Sequence, residues 1–145
     1  MKLGKKERVI IIGCGRLGSK LAAMLSEKNY QVVVIDKKES AFTKLPESFG
    51  GFYVKADGTD LDTLKYVDIE ETAIFIACTE SDNMNSLLAQ IASRIFNVPN
   101  VYVRFEDVDK EKLIKGFNIQ GIFPFNLTLD VFNEIIFGEN KENEK

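Results

Sequence analysis

Between residues 13 and 18 the chain reads Gly13-Cys14-Gly15-Arg16-Leu17-Gly18, directly after the β-branched run Arg8–Ile12 and directly before a segment of helical period. Three glycines at this spacing, between a strand and a helix, suit one local shape. Gly13 permits the tight turn, Gly15 lets the backbone approach a pyrophosphate, and Gly18 lets the helix close on the sheet. The helix start behind such a loop presents unpaired N–H groups and the positive end of its dipole to phosphate oxygens. The six residues alone are a weak signal, and context strengthens them. The next apolar run, Gln31–Asp36, ends in an acid 18 residues after Gly18, where a carboxylate can accept bonds from ribose hydroxyls.

The alternation begun there continues to the end of the chain. Residues 15–28 carry Leu17, Leu21 and Leu25 at helical spacing. A short helix is expected at 40–45, broken by Pro46, and a third strand at 51–55. A helix at 60–66 follows, with Asp60 as its N-cap, then a fourth strand at 72–77. The stretch 81–96 reads as one long helix burying Met84, Leu87, Leu88, Ile91, Ala92 and Ile95. A strand at 101–104, a helix at 107–115 and a strand at 119–123 complete the alternation, and a last helix is expected at 127–137, with Asn126 as its cap. Such a series predicts an α/β, Rossmann-like, doubly wound six-stranded parallel sheet with right-handed crossovers and a C-terminal crossover helix. We read residues 1–137 as one domain and the charged tail 138–145 as disordered.

Composition removes several functions. The chain has no histidine, the commonest acid–base group at neutral pH, and no evident Tyr-x-x-x-Lys pair. An NAD-dependent oxidoreductase, the alternative to a binding domain, would lack its usual proton-handling residues, so no enzyme activity is expected. The two cysteines, Cys14 and Cys78, form neither a disulfide framework nor a metal-ligand spacing and are expected as buried strand-end packing; no metal is expected. A net charge of −3 gives no reason to expect nucleic acid, and the basic residues Lys2, Lys5, Lys6 and Arg8 read as a solvated arm. No apolar run approaches the roughly 20 residues that span a bilayer, and no signal-peptide core follows the start, so a cytoplasmic location is expected.

The same residues bear on which nucleotide binds. A carboxylate at Asp36 repels a ribose 2′-phosphate and predicts poor binding of NADP. Lys37 and Lys38 next to it soften that repulsion or are merely solvated. Arg16 at the helix start can fork onto phosphate oxygens or stand idle on the surface. The last helix carries Leu127, Leu129, Val131, Phe132, Ile135, Ile136 and Phe137, more apolar surface than one face can bury, and is expected to pack on a partner subunit.

The run Val9–Gly18, Val34-Ile35-Asp36, Ala56-Asp57-Gly58-Thr59, Ala77-Cys78-Thr79 with Ser81, Asp82 and Asn85, and Val98-Pro99-Asn100 leading to Arg104 follow one another in an order and spacing that is specific. In these the chain resembles the nucleotide-binding N-terminal domain of potassium-transport regulatory subunits, the RCK or Trk/Ktr family, from about residue 8 to 137. The resemblance implies a cytoplasmic subunit, peripheral to the inner face of the membrane, that binds NAD, NADH, ATP, ADP or AMP and gates a potassium channel or transporter. It implies a homodimer or higher ring through the helix at 127–137. It further implies a second regulatory lobe, on a separate polypeptide, or a minimal ring-forming unit without one.

By matching position, Gly13, Gly15 and Gly18 would contact phosphates, with Cys14 and Leu17 in the same loop and Arg16 on the outer phosphates. Asp36, followed by Lys37, would take the ribose, and Asp57 the adenine amino group. The Cys78-Thr79 turn would line the cleft, and Arg104 would add a phosphate contact. Residue by residue, the plainer roles stay open: Asp57 capping a turn, Thr79 ending a strand, Arg104 paired with Glu106 or Asp107. Asn83 and Phe125 stand where similar proteins often carry acids, which agrees with expecting no metal.

Overall fold

The computed structural model describes residues 6–138, so the lysines at 2 and 5 and the tail from 139 lie outside the described residues. Arg8 is not part of a solvated arm: it opens the first strand, and its half-buried guanidinium donates to the Asp68 carboxylate at 2.7 Å. Six parallel strands run β1 (Arg8–Ile12), β2 (Gln31–Asp36), β3 (Phe52–Lys55), β4 (Thr72–Ala77), β5 (Asn100–Arg104) and β6 (Ile119–Ile122). They lie side by side in the order β3-β2-β1-β4-β5-β6. The order reverses between β1 and β4, so the chain winds outward from the centre in both directions. Such a reversal leaves a crevice beyond the carboxyl ends of the two central strands.

Period-two alternation fills both faces of this sheet. In β1, Val9 and Ile11 join Val32, Val34, Phe42, Cys14 and Cys78 on the face covered by α1 (Arg16–Glu27). Ile10 and Ile12 join Val33, Ile35, Leu64, Phe75, Leu88 and Phe105 on the face covered by α2 (Leu61–Tyr66) and α3 (Asp82–Gln90). A central strand buried on both sides needs the unbroken Val-Ile-Ile-Ile run it has.

The departures from expectation are local. The long helix expected over 81–96 changes character after Gln90: a π turn spans Ile91–Ile95, with Phe96 N–H donating to the Ile91 carbonyl. Its wider turn shifts the phase of the stripe. Ile91 and Ala92 at its start are buried with Leu88, while Ile95 at its end is exposed. Leu87, ahead of the π turn in α3, is exposed as well, so the stripe is narrower than expected there. The segments expected as helices at 40–45 and 107–115 are 3₁₀ turns, Glu39–Lys44 and Val108–Leu113. Asp107 and Asp60 each cap with their own carboxylate, accepting from Asp109 N–H and Asp62 N–H. The last helix, α4 (Pro124–Phe137), begins three residues earlier than expected, and Asn126 lies inside it and not at its cap. Pro124 occupies the first turn, where a missing N–H costs nothing and the fixed φ is already helical.

A candidate nucleotide cleft at the strand ends

At the reversal between β1 and β4 lies a cleft of about 410 Å³, a size suited to a small ligand. One lip is the glycine loop. Gly13 leaves β1 with φ +105 and donates its N–H to the Ile35 carbonyl at 2.8 Å. A Cβ here would come within 2.9 Å of the Cys78 carbonyl oxygen, just past the end of β4, so both conformation and space demand glycine. At Gly18 a Cβ would fall 1.8 Å from the Gly13 carbonyl oxygen, which fixes this glycine as the point where α1 closes on the loop.

Gly15 differs from both. Its φ and ψ of −81 and −160 are open to any residue, and a Cβ would meet nothing within 4 Å. No contact of the protein itself requires glycine there. Gly15 is also the N-cap of α1 and offers no side-chain bond to the first turn, whereas α2 and α3 are capped by Asp60 and Ser81. The first turn of α1 therefore stands uncapped by any side chain, directly behind Gly15, which itself lines the cleft.

Asp36, at the end of β2, faces this loop. Its two carboxylate oxygens accept from Cys14 N–H and Lys38 N–H, each at 2.8 Å. The acid is thus oriented by backbone donors and keeps lone pairs for a further donor. Beyond it, Asp57 folds back in a tight turn, Oδ1 accepting from the N–H and the hydroxyl of Thr59 at 2.9 and 2.7 Å. These two donors, with a smaller contribution from Lys37, hold its pKa below the ordinary value, against a slight opposing effect of burial. Lys37 Nζ lies 3.8 Å from Asp57 Oδ2. The turn-capping role and the cleft-lining position coexist in this residue.

The opposite lip is the turn after β4. Cys78 and Thr79 line it, and the buried Asn85 of α3 locks it. Asn85 Oδ1 accepts from Thr79 N–H and hydroxyl at 2.8 and 2.6 Å, and its amide donates to the carbonyls of Thr79 and Arg104 at 3.0 and 2.9 Å. One side chain thereby ties the cleft to the end of β5. Asp82 extends the tie, accepting from Glu106 N–H and Asp107 N–H. Both thiols are buried. Burial pushes Cys78 up to about 12, and it pushes Cys14 up as well, with Asp36 adding to the shift and the Lys44 charge partly offsetting it.

Gly13, Cys14, Gly15, Asp36, Lys37, Asp57, Cys78 and Thr79 are therefore brought to one cleft. Arg16, Leu17, Gly18 and Arg104 are not among its lining residues. Arg16 stands exposed at the first position of α1, and the Arg104 guanidinium pairs with Glu106, one of the alternatives left open above. Lys44, Ala41, Gly58, Glu80, Met84 and Leu88 also line the cleft, and the sequence reading did not assign them to it. Met84 and Leu88 were legible only as a helix stripe. Lys44 lay in the segment expected as a short helix at 40–45, with no role in the cleft. Among the described residues no group of three or more His, Cys, Asp or Glu could hold a metal, and no helix is long and apolar enough to cross a membrane.

Residues 9–123 match the TrkA-N domain. The chain is 37% identical over 122 residues to the Trk system potassium uptake protein TrkA of Streptomyces coelicolor, covering 84% of this chain and 55% of that protein. It spans about half the length of the curated relatives it matches. Among solved structures, the TrkA-N domain of the inner membrane protein ybaL from Escherichia coli superposes with a TM-score of 0.78 at 17% identity, covering 92% of this chain and 99% of that one. The GsuK channel bound to NAD superposes at 0.75 and 21% identity, covering 93% of this chain and 24% of that one.

Proposed function

The chain belongs to the TrkA-N domain family, and from that premise we propose that it is the adenine-nucleotide-sensing unit of a potassium transport system. In this reading the cleft binds NAD, NADH, ATP, ADP or AMP, and the bound state gates a membrane channel or transporter from the cytoplasmic side. The observation that carries it is Gly15: a glycine that the fold does not need, in front of an uncapped helix N-terminus. A backbone free of side chain at that point serves a phosphate that comes close to it. Asp36 then takes the ribose hydroxyls, and Asp57, through the carboxylate oxygen left outside its turn, the adenine amino group. Support for the potassium system comes from the relative named a potassium uptake protein, and support for a nucleotide ligand from the channel solved bound to NAD.

The cleft performs no chemistry in this reading. The two thiols that line it are held protonated near neutral pH, and the chain has no histidine. A ligand shifts a conformational equilibrium only by its difference in affinity for the two states, so sensing needs an element that responds to cleft geometry. The Asn85 and Asp82 bonds give such a route, from the Thr79 turn to the end of β5 and the loop that follows it.

Thermal unfolding with AMP, ADP, ATP, NAD and NADH tests the reading. A nucleotide at 100 times its Kd adds about 2.7 kcal/mol, a rise in midpoint of several degrees for a domain of this size. The rise is expected with at least one of them and lost in Asp36→Ala. No rise with any, for protein shown free of bound nucleotide, overturns it.

A further inference from the structure

Resting on the reading that the cleft holds an adenine nucleotide, we propose that Glu106 sorts its ligands by competing with a terminal phosphate for Arg104. The ligand class concerned is a nucleoside polyphosphate, whose last phosphate takes Arg104 from Glu106. NAD, with a bridging pyrophosphate and no terminal phosphate, leaves the pair closed. The sheet places Arg104 for this. β4 and β5 pair with Ala77 opposite Val103, so Cys78 and Arg104 follow side by side at the strand ends. Val101 and Val103 are buried in the core under α2 and α3, so by alternation Arg104 projects from the opposite face. That is the face α1 covers, where Cys14 and Cys78 are buried.

The strand order β1-β4-β5 sets the first turn of α1 and Arg104 on one face, on either side of the β4 end. A phosphate at the first turn of α1 is the one nearest the ribose. Further phosphates continue across the end of β4 toward Arg104, whereas AMP ends short of it. The charge of Arg104 reaches the cleft lining: burial pushes the Cys78 thiol up, and the guanidinium works against that shift. Arg104 Nη2 donates to Glu106 Oε1, and both residues are fixed to α3 through their backbones. The Arg104 carbonyl accepts from the Asn85 amide, and Glu106 N–H donates to Asp82, each at 2.9 Å. Their side chains are therefore the parts free to change partner. Those side chains are 28% and 52% exposed, and an ion pair this open holds its members by only about fivefold or less. A terminal phosphate offers the guanidinium a larger charge and a forked acceptor, and so displaces the carboxylate.

Calorimetric titration of the full chain with ATP and with NAD, free of divalent ions, tests the proposal in the parent, Glu106→Gln, Arg104→Gln and the double variant. Glu106→Gln is expected to tighten ATP about threefold to fivefold, the weight of an exposed pair, and to leave NAD within about twofold. Arg104→Gln is expected to weaken ATP about tenfold, the worth of a charge-assisted bond, with NAD again within about twofold. In the double variant the gain from Glu106→Gln is expected to vanish, because the cation it frees is gone. Circular dichroism is expected to be unchanged throughout. ATP affinity unmoved by Glu106→Gln, or moved together with that of NAD, overturns the proposal. A gain that persists in the double variant also overturns it. ATP undetected in both parent and Glu106→Gln, while NAD binds, overturns the sorting and leaves the nucleotide reading intact. Failure of AMP, ADP, ATP, NAD and NADH alike in the parent overturns both.

Discussion

At the residue scale, the glycine loop separates what folding requires from what a ligand requires. Gly18 is fixed by a carbonyl 1.8 Å from its absent Cβ, and Gly13 by φ +105 and a carbonyl at 2.9 Å. Gly15 has neither constraint. Gly18→Ala is therefore expected to cost at least about 3 kcal/mol in denaturant unfolding, the upper range for an overpacked site. Gly15→Ala is expected to change stability by less than about 1 kcal/mol, since its backbone suits alanine and the unfolded chain loses freedom. The same Gly15→Ala variant is expected to lose most of its nucleotide-induced rise in unfolding midpoint. A Gly15→Ala protein that binds as the parent does would remove the reason given for that glycine. The acid at 36 and the loop at 13–18 were legible because their spacing reports a known local shape. The guanidinium directions of Arg16 and Arg104 were not. A charged side chain of this length has many rotamers, and its choice of Glu106 over a cleft depends on neighbours brought by folding.

At the element scale, the strands were the most legible part. β1, β2 and β4 begin and end where the β-branched runs do, because central parallel strands bury both faces and so leave a continuous apolar signature. The 3₁₀ turns and the π turn were not legible, because their few residues share the composition of ordinary helices and their backbone follows from tertiary packing. α4 is the element whose composition and surroundings disagree most. Phe125, Leu127, Leu129, Val131, Phe132, Ile135, Ile136 and Phe137 are between 49% and 76% exposed, and none of the helix is buried. Each such side chain gains about 1.5–3 kcal/mol on burial, so a second copy packing there gains from several at once. Sedimentation is expected to give a dimer, and Phe132→Asp/Ile136→Asp a monomer of unchanged circular dichroism that still binds nucleotide. A parent chain that sediments as a monomer at tens of micromolar contradicts this role for α4.

At the scale of the whole molecule, the residues of the proposed nucleotide cleft gather at one end of the sheet. The reversal of strand order opens the cleft, and α1 aims its N-terminus there. Asn85 and Asp82 then couple the far lip to β5 and the loop before β6. Hydrogen exchange of the backbone amides, read by mass spectrometry with and without saturating AMP, ADP, ATP, NAD and NADH, tests this arrangement most directly. With the nucleotide that binds, peptides covering residues 13–18 and 56–60 are expected to gain protection, with a smaller change at 104–110. Exchange unchanged at residues 13–18 with every nucleotide, or protection confined to surfaces away from the strand ends, would contradict the account.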